Sequence, residues 1–515
     1  MSEYTSSPNR TLRIVCIVSC LLVLVLGFAS FFSAMWYVRV YGRLGFDSVL
    51  YTLTGGLGGV NPDLIQNYLL HGVLPALLFS AVAGFLLFFP RKPLITWSTK
   101  KRTFLLYPFR LAISSALALA LSLGLIIHAA FNVELVDYVI AMNTQSELYQ
   151  EEYRDPNQVN ITFPEQKRNL VYIMLESMET SYLSTEQGGA MPYNLIPELY
   201  RLAQENVNFS HNEDVGGFPQ VNGASWTVGA MVAQTAGVPL KVPDGIKDWQ
   251  NGYGKDGVFL PGLTSLTNIL QEAGYYQTLM VGSDASFGGR RTYFNTHGMD
   301  HIYDIYTARK DGIVASNYWD NWWGYEDYYL FEYAKQELTQ IAAGDQPFAF
   351  TLLTVDTHHI GGHACPYCQD TYDENYENVI SCSSRQVYAF VRWLQEQPFY
   401  ENTTVVVTGD HCSMDNGFFE RNVAPNYQRH VYNCFINSAA TATFTQNRKF
   451  CAMDMFPTTL AAMGCTIEGE RLGLGTNLFS KAPTLMETMG VGSFTAELSK
   501  ASEYYASHFY TEQTP

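Results

Sequence analysis

The chain opens with long apolar runs and continues with short ones. Residues 14 to 36, "IVCIVSCLLVLVLGFASFFSAMW", 68 to 89, "YLLHGVLPALLFSAVAGFLLFF", and 111 to 131, "LAISSALALALSLGLIIHAAF", contain no charged side chain. Each is long enough to cross about 30 Å of hydrocarbon as a helix. The pattern predicts an N-terminal α-helical membrane domain of three transmembrane helices within residues 1–135. The first run outlasts the apolar core of a signal peptide, lacks a small-residue cleavage site and precedes two more spans, so it reads as an anchor. "GFDSVLYTLTGGLGGVNPD" reads as an interfacial or external loop between the first two spans.

Residues 136–166 are polar, and "TQSELYQEEYRDPNQVNITFPEQ" predicts a helical arm followed by a linker. From 167 to 482 the apolar runs shorten to "NLVYIMLES" (169 to 177), "YYQTLMVGSD" (275 to 284), "PFAFTLLTVDTHH" (347 to 359) and "NTTVVVTGDH" (402 to 411). They are continuous rather than alternating, as in strands buried on both faces. Helical candidates at 193 to 205 and 265 to 273 lie between them. The alternation predicts an α/β domain with a mainly parallel central sheet. Residues 483–515 read as an amphipathic, partly mobile tail.

Composition sharpens this picture. At 515 residues the chain exceeds one core, and 47% hydrophobic against 15% charged residues favours the membrane. A net charge of −17 with no basic stripe excludes nucleic acid as a partner. The stretch from 90 to 110 holds six Lys or Arg, whereas 37 to 67 holds only Arg39 and Arg43. The richer loop belongs in the cytoplasm, which predicts a multi-pass protein of the cytoplasmic (inner) membrane, N-terminus inside, with everything after about residue 132 outside or periplasmic. Seven of the nine cysteines fall in that outer part. In an oxidising compartment the cluster Cys365, Cys368 and Cys382 reads as disulfide partners ahead of zinc ligands.

The chemistry lies in how the strands finish. Glu176 follows "VYIML", His358 and His359 follow "LLTVDT", Asp410 and His411 follow "VVVTG", and a fourth run ends in "GSDASFGGRR". Ligands of open parallel sheets bind beyond the carboxyl ends of the strands. Alone, each residue is explained by solvation or capping, but an Asp-His pair after a buried strand is costly without a partner or ion. A nucleophile is offered by "VNGASWTVGAMVAQTAGVPL" (221 to 240), a loop entering a helix with Ser225 as N-cap and Thr227 in the first turn. Free N–H groups and the helix dipole there favour a phosphate or a developing alkoxide. The plainer reading is that both residues only cap a helix.

The order "LES", loop-to-helix Thr, "SFGGR", "THH", "TGDH" resembles the lipoteichoic acid synthase and phosphoglycerol transferase I family of the alkaline phosphatase/sulfatase superfamily. "WTVGAMVAQTAGVPL", "TVDTHH" and "RLGLGTNLFS" look closest to the phosphoglycerol transferase I branch. The resemblance implies that Glu176, Thr227, Asp410 and His411 bind a metal, usually Mn²⁺, with Mg²⁺ or Zn²⁺ as alternatives. It implies Thr227 as nucleophile, His358 on the substrate side and Arg290 facing the substrate phosphate, with Arg291 as the other assignment. The lipoteichoic acid synthases carry Trp two positions before their Arg, where this chain has Gly288.

The implied function is a membrane-anchored, metal-dependent transfer of glycerophosphoryl groups from phosphatidylglycerol to a glycan, glycolipid or polyglycerolphosphate acceptor, through a covalent intermediate on Thr227. "NYWDNWWGYEDYYLFEY" (317 to 333) lines the lipid or sugar approach or packs its aromatics into the core. Other readings on the same fold are a phosphoethanolamine transferase, usually with five spans, and a phosphodiester hydrolase. A sulfatase would need a C/S-x-P-x-R motif, and "WTVGAM" lacks its Pro and Arg. A non-catalytic membrane protein would be expected to have lost ligands.

Overall fold

The computed structural model describes residues 10–43, 45–54, 62–89, 95–99, 102–106, 111–241, 257–299, 301–318 and 324–511. Two compact units emerge, one from Met1–Arg43 with Asn61–Asp137, the other from Leu44–Val60 with Tyr138–Pro515.

The first unit contains three helices long and apolar enough to span a membrane, Thr11–Tyr41, Leu64–Phe88 and Leu111–Asn132. Leu22, Leu78, Phe85 and Leu123 are exposed on them, as lipid-facing side chains would be. Small residues set the helix contacts. A Cβ on Gly27 would lie 2.8 Å from the Cα of Ser122, so only glycine permits that approach. The second span contains a π-turn at Leu69–Val73 just before Pro75, which has no N–H to continue a regular ladder. Part of the basic loop forms an antiparallel pair, Ile95–Thr99 with Arg102–Leu106.

The second unit is built on a seven-stranded sheet. Its strands in chain order are β1 (Asn169–Leu175), β2 (Gly217–Phe218), β3 (Tyr276–Val281), β4 (His301–Tyr303), β5 (Phe348–Leu353), β6 (Thr403–Gly409) and β7 (Val431–Ile436). Their spatial order is β2-β7-β6-β1-β5-β3-β4. Strands β6, β1, β5, β3 and β4 are parallel, while β7 runs antiparallel to both β6 and β2. The sheet is therefore mixed but mainly parallel.

All seven residues of β1 are buried, and they alternate between two apolar layers. Leu170, Tyr172 and Met174 join a layer with Met231 and Phe456, while Val171, Ile173 and Leu175 join another with Leu199 and Phe390. This is why the strand has no polar face in the sequence. Each such side chain contributes about 1.5–3 kcal/mol on burial, so a charge at Ile173 would remove the layer's support.

Two expectations change. Residues 485–509, expected as an amphipathic, partly mobile tail, form helices Leu485–Met489, Val491–Ser499 and Glu503–Phe509 that are held to the domain, with Tyr505 and Phe509 buried against Tyr149. All nine cysteines are free thiols. A disulfide needs a sulfur separation of about 2.05 Å, whereas Cys365 Sγ lies 3.7 Å from Cys368 Sγ and 3.8 Å from Cys382 Sγ. Residues 319–323 of the aromatic stretch lie outside the described residues; Tyr325, Leu330 and Phe331 pack into the core.

Candidate active site at the carboxyl edge of the sheet

Strand register brings the first ligands together. Leu175 of β1 is the Cα partner of Gly409 of β6, so Glu176 and Asp410 leave the sheet side by side. Ser177 follows in a left-handed conformation at φ 56°, and its N–H donates to Asp410 Oδ1 at 2.9 Å. Its hydroxyl donates to Glu176 Oε1 at 2.8 Å. The His411 N–H also donates to Asp410 Oδ1, at 2.7 Å. These bonds leave Asp410 Oδ2 buried without a hydrogen-bond donor.

The His411 ring is fixed from behind. Its Nδ1–H donates to the Cys412 carbonyl oxygen at 2.8 Å, which turns the Nε2 lone pair into the cluster. Nε2 stands 3.3 Å from Asp410 Oδ2 and 3.6 Å from Glu176 Oε1. Cys412 thus acts through its carbonyl, while its thiol is buried.

Thr227 arrives from the other side of the cluster as the first residue of the helix Thr227–Ala236. Trp226, not Ser225, occupies the N-cap position, and neither side chain caps the helix. Trp226 adopts the extended conformation a cap requires, one residue later than the sequence suggests. Gly237 closes the helix in the left-handed region at φ 67°. Thr227 Oγ1 lies 3.3 Å from His411 Nε2 and 3.4 Å from Glu176 Oε2. Of the four clustered side chains it alone is partly exposed.

Glu176, Asp410 and His411 place ligand atoms within 4.8 Å of one another. Burial, and next the neighbouring Asp410 charge, push the Glu176 carboxyl well above the usual carboxylate range. Two buried carboxyls, an orphaned carboxylate oxygen and a preset imidazole lone pair fit a divalent cation. Three oxygens and one nitrogen suit Mn²⁺ or Mg²⁺, and zinc is compatible with the set.

The substrate-side residues approach from β5 and β3. The β5 strand leads into Thr354, whose hydroxyl accepts from the Glu176 N–H, and Thr357, whose hydroxyl donates to the Glu176 carbonyl. His358 follows, its Nδ1–H donating to the His359 carbonyl at 2.7 Å. Burial, and then the adjacent His359, hold His358 well below the ordinary imidazole value, so its resting ring is neutral. Arg290 is buried, with Nη2 donating to Ser283 Oγ and the Asp284 carbonyl, and its charge acts on both Glu176 and His358. Arg291 instead forms an ion pair with Asp304 at 2.5 Å. The structure therefore gathers Glu176, Thr227, His358, Arg290, Asp410 and His411 and leaves Arg291 on another partner.

Three supporting groups were not singled out from the sequence. Gln234, two turns after Thr227, donates to the Gly409 carbonyl at 3.0 Å and accepts from Tyr172 Oη at 2.8 Å. Its signal was a lone polar side chain in the apolar helix "VGAMVAQ". Buried Glu179, paired with the half-buried Arg429, backs the same edge, with Arg429 also bonding the Ser413 carbonyl. Asp327 receives N–H bonds from Val355 and Asp356, just before His358. Nothing local in the sequence marks these two.

Residues 248–465 match the Sulfatase family, a span that contains Arg290, His358, Asp410 and His411 but not Glu176 or Thr227. Phosphoglycerol transferase I from Escherichia coli is 30% identical over 378 residues, covering 72% of this chain and 45% of that protein. The chain spans about half the length of the curated relatives it matches. Among solved structures, the integral membrane lipooligosaccharide phosphoethanolamine transferase A from Neisseria meningitidis aligns with a TM-score of 0.50 at 14% identity. That alignment covers 88% of this chain and 86% of the other, a likeness of fold. By these similarities the chain carries a sulfatase domain, with three apolar N-terminal helices and a sequence related to phosphoglycerol transferase I.

Proposed function

We propose that the protein is a membrane-anchored, metal-dependent phosphotransferase that moves glycerophosphoryl groups from phosphatidylglycerol to a glycan, glycolipid or polyglycerolphosphate acceptor. One observation carries the reading. Thr227 Oγ1, at a helix N-terminus, sits 3.3 and 3.4 Å from His411 and Glu176. A hydroxyl so placed is an activated nucleophile beside a site for phosphate. The 30% identity to phosphoglycerol transferase I supports glycerophosphoryl as the transferred group.

A divalent cation held by Glu176, Asp410, His411 and Thr227 would lower the hydroxyl pKa of Thr227 and polarise the phosphoryl oxygens. Thr227 Oγ1, its proton released to solvent, attacks phosphorus as an alkoxide, and the bond from phosphorus to the glyceride oxygen breaks. Arg290, fixed by Ser283 and the Asp284 carbonyl, offsets the phosphoryl charge. His358 starts neutral and takes a proton from solvent. A bound phosphodiester anion raises the pKa of that imidazole. The imidazole then gives its proton to the departing diacylglycerol oxygen. In the second step His358 takes the proton of an acceptor hydroxyl, whose oxygen displaces the glycerophosphoryl group and releases Thr227 as the alkoxide, leaving His358 protonated for the next donor. Lipid donors in the outer leaflet suit a catalytic unit tethered outside the cytoplasmic membrane, with the N-terminus inside.

The test uses the full-length protein in detergent with labelled phosphatidylglycerol and Mn²⁺. Diacylglycerol release is expected, together with a glycerophosphoryl adduct in the intact mass. Both should vanish in Thr227→Ala, and unchanged release in that variant would sink the nucleophile. Phosphatidylethanolamine in a parallel reaction separates the phosphoethanolamine reading. Acceptor sugars added against water alone separate transferase from hydrolase.

A further inference from the structure

The connection from β5 to the helix Asn375–Gln395, residues 354–374, contains no helix or strand and carries His358. Structureless loops longer than about 12–15 residues are uncommon in compact domains. This one is pinned near its middle, where Gly361 N–H donates to Asp415 Oδ2 and His363 N–H to the Asp356 carbonyl. Its distal half turns at Cys365–Cys368, closed by the Cys368 N–H on the Cys365 carbonyl. That turn brings two thiols against Cys382, in the second turn of the helix.

The sulfur geometry is specific. Cys365 Sγ lies 3.7 Å from Cys368 Sγ and 3.8 Å from Cys382 Sγ, and all three fall within 4.8 Å of one another. Three thiolates about 2.3 Å from one tetrahedral zinc stand about 3.8 Å apart. A disulfide would draw two sulfurs to about 2.05 Å and leave the third thiol over. Gln386, one turn beyond Cys382, donates through Nε2 to Cys382 Sγ at 3.3 Å and to Cys365 Sγ at 3.7 Å. Such bonds steady thiolate ligands from outside the coordination sphere. Its Oε1 is buried without a hydrogen-bond partner, so rotation of the amide offers a fourth ligand oxygen. Arg385, on the same turn, brings a positive charge to bear on Cys382. Cys365 and Cys382 are buried, while Cys368 reaches the surface and gives water or an incoming ion access.

We propose that Cys365, Cys368 and Cys382 hold one thiophilic divalent cation of the zinc class, with water or Gln386 Oε1 in the fourth position. The ion clamps the His358-bearing loop to the helix Asn375–Gln395. Loading releases three protons from three thiols and forms three metal–sulfur bonds, with no oxidant needed. This second site is soft and sulfur-based, unlike the oxygen-rich set around Thr227.

The test is zinc K-edge X-ray absorption on the full-length protein in detergent, stripped of metal, kept reduced, and given one equivalent of Zn²⁺. A shell of three sulfurs at about 2.3 Å is expected. Mercurial modification of the thiols should release that equivalent. Cys368→His should remain loaded and replace one sulfur by a nitrogen at about 2.0–2.1 Å. Cys368→Ser should bind at least tenfold more weakly; if it fails to fold, the Cys368→His spectrum still decides. A spectrum without sulfur, or one unchanged by Cys368→His, overturns the proposal. So does peptide mapping of protein isolated without reductant that finds Cys382 bonded to Cys365 or Cys368.

Discussion

Leu175 and Gly409 are paired across β1 and β6, and that pairing delivers Glu176 and Asp410 to one point. Gly409 is required there for a further reason. A Cβ on it would lie 2.0 Å from the Met178 carbonyl oxygen, a backbone atom that cannot swing aside. Gly409→Ala should therefore displace the chain leading to Asp410 and His411, lowering stability by about 1–3 kcal/mol and weakening metal binding. Thermal unfolding with and without Mn²⁺ checks both effects, and a wild-type response to the ion would count against this account.

The adjacent arginines should separate cleanly. Arg290 bonds Ser283 and the Asp284 carbonyl and acts on the site, so Arg290→Gln should lower the chemical rate, by roughly 10²–10³ if it serves as a transition-state donor. Arg291 is bound to buried Asp304, which also accepts from the Tyr306 and Thr307 N–H groups. Arg291→Gln should lower the melting temperature while leaving kcat nearly intact. Steady-state kinetics and unfolding of the two variants, measured side by side, would expose a reversed pattern.

The strands and the polar residues that end them were legible because burial on both faces writes itself as "NLVYIML" and "TTVVVTG", and because polar groups interrupt those runs only at their ends. The antiparallel β7, "VYNCFI", has the same apolar signature, so direction could not be read from composition. Ser225 resembled a cap because Ser is a good one, yet chain geometry gave that position to Trp226. The Asp327 contact with Val355 and Asp356 joins positions 28 and 29 residues apart. Only the path of the backbone reveals such a pairing. Residues 483–515 read only as an amphipathic tail, because Tyr149, which covers Tyr505 and Phe509, lies far away in the chain.

Removing the cation should cost stability as well as activity. Without it Asp410 Oδ2 has no partner and Glu176 faces a second carboxyl in a dry site. An ion present at 100 times its Kd would stabilise the fold by about 2.7 kcal/mol. EDTA should therefore lower the melting temperature, and Mn²⁺ should restore it. Asp410→Asn should blunt that restoration, because the amide offers a weaker ligand in the same shape. Equal Mn²⁺ responses in wild type and Asp410→Asn would remove Asp410 from the ligand set.

Asp327 makes stability depend on pH. Burial pushes its carboxyl up to about 7, against the opposing effect of N–H bonds from Val355 at 2.7 Å and Asp356 at 3.2 Å. An unfolded Asp titrates near about 3.9. Between those values the folded protein holds a proton that the unfolded chain has released, so stability falls as pH rises. The contribution is full below about pH 4, shrinks through the range from 4 to 7, and is gone above it. A shift of this size corresponds to no more than about 4 kcal/mol. Asp327→Asn cannot titrate, and it keeps one acceptor for the two N–H groups. The stability difference between wild type and Asp327→Asn should therefore narrow steadily from pH 5 to pH 8 in urea titrations. A difference that stays constant over that range would show that Asp327 does not titrate there. Because Val355 and Asp356 lead directly into His358, the same variant should raise KM at pH 8, where the proton is already lost and the stability difference has closed.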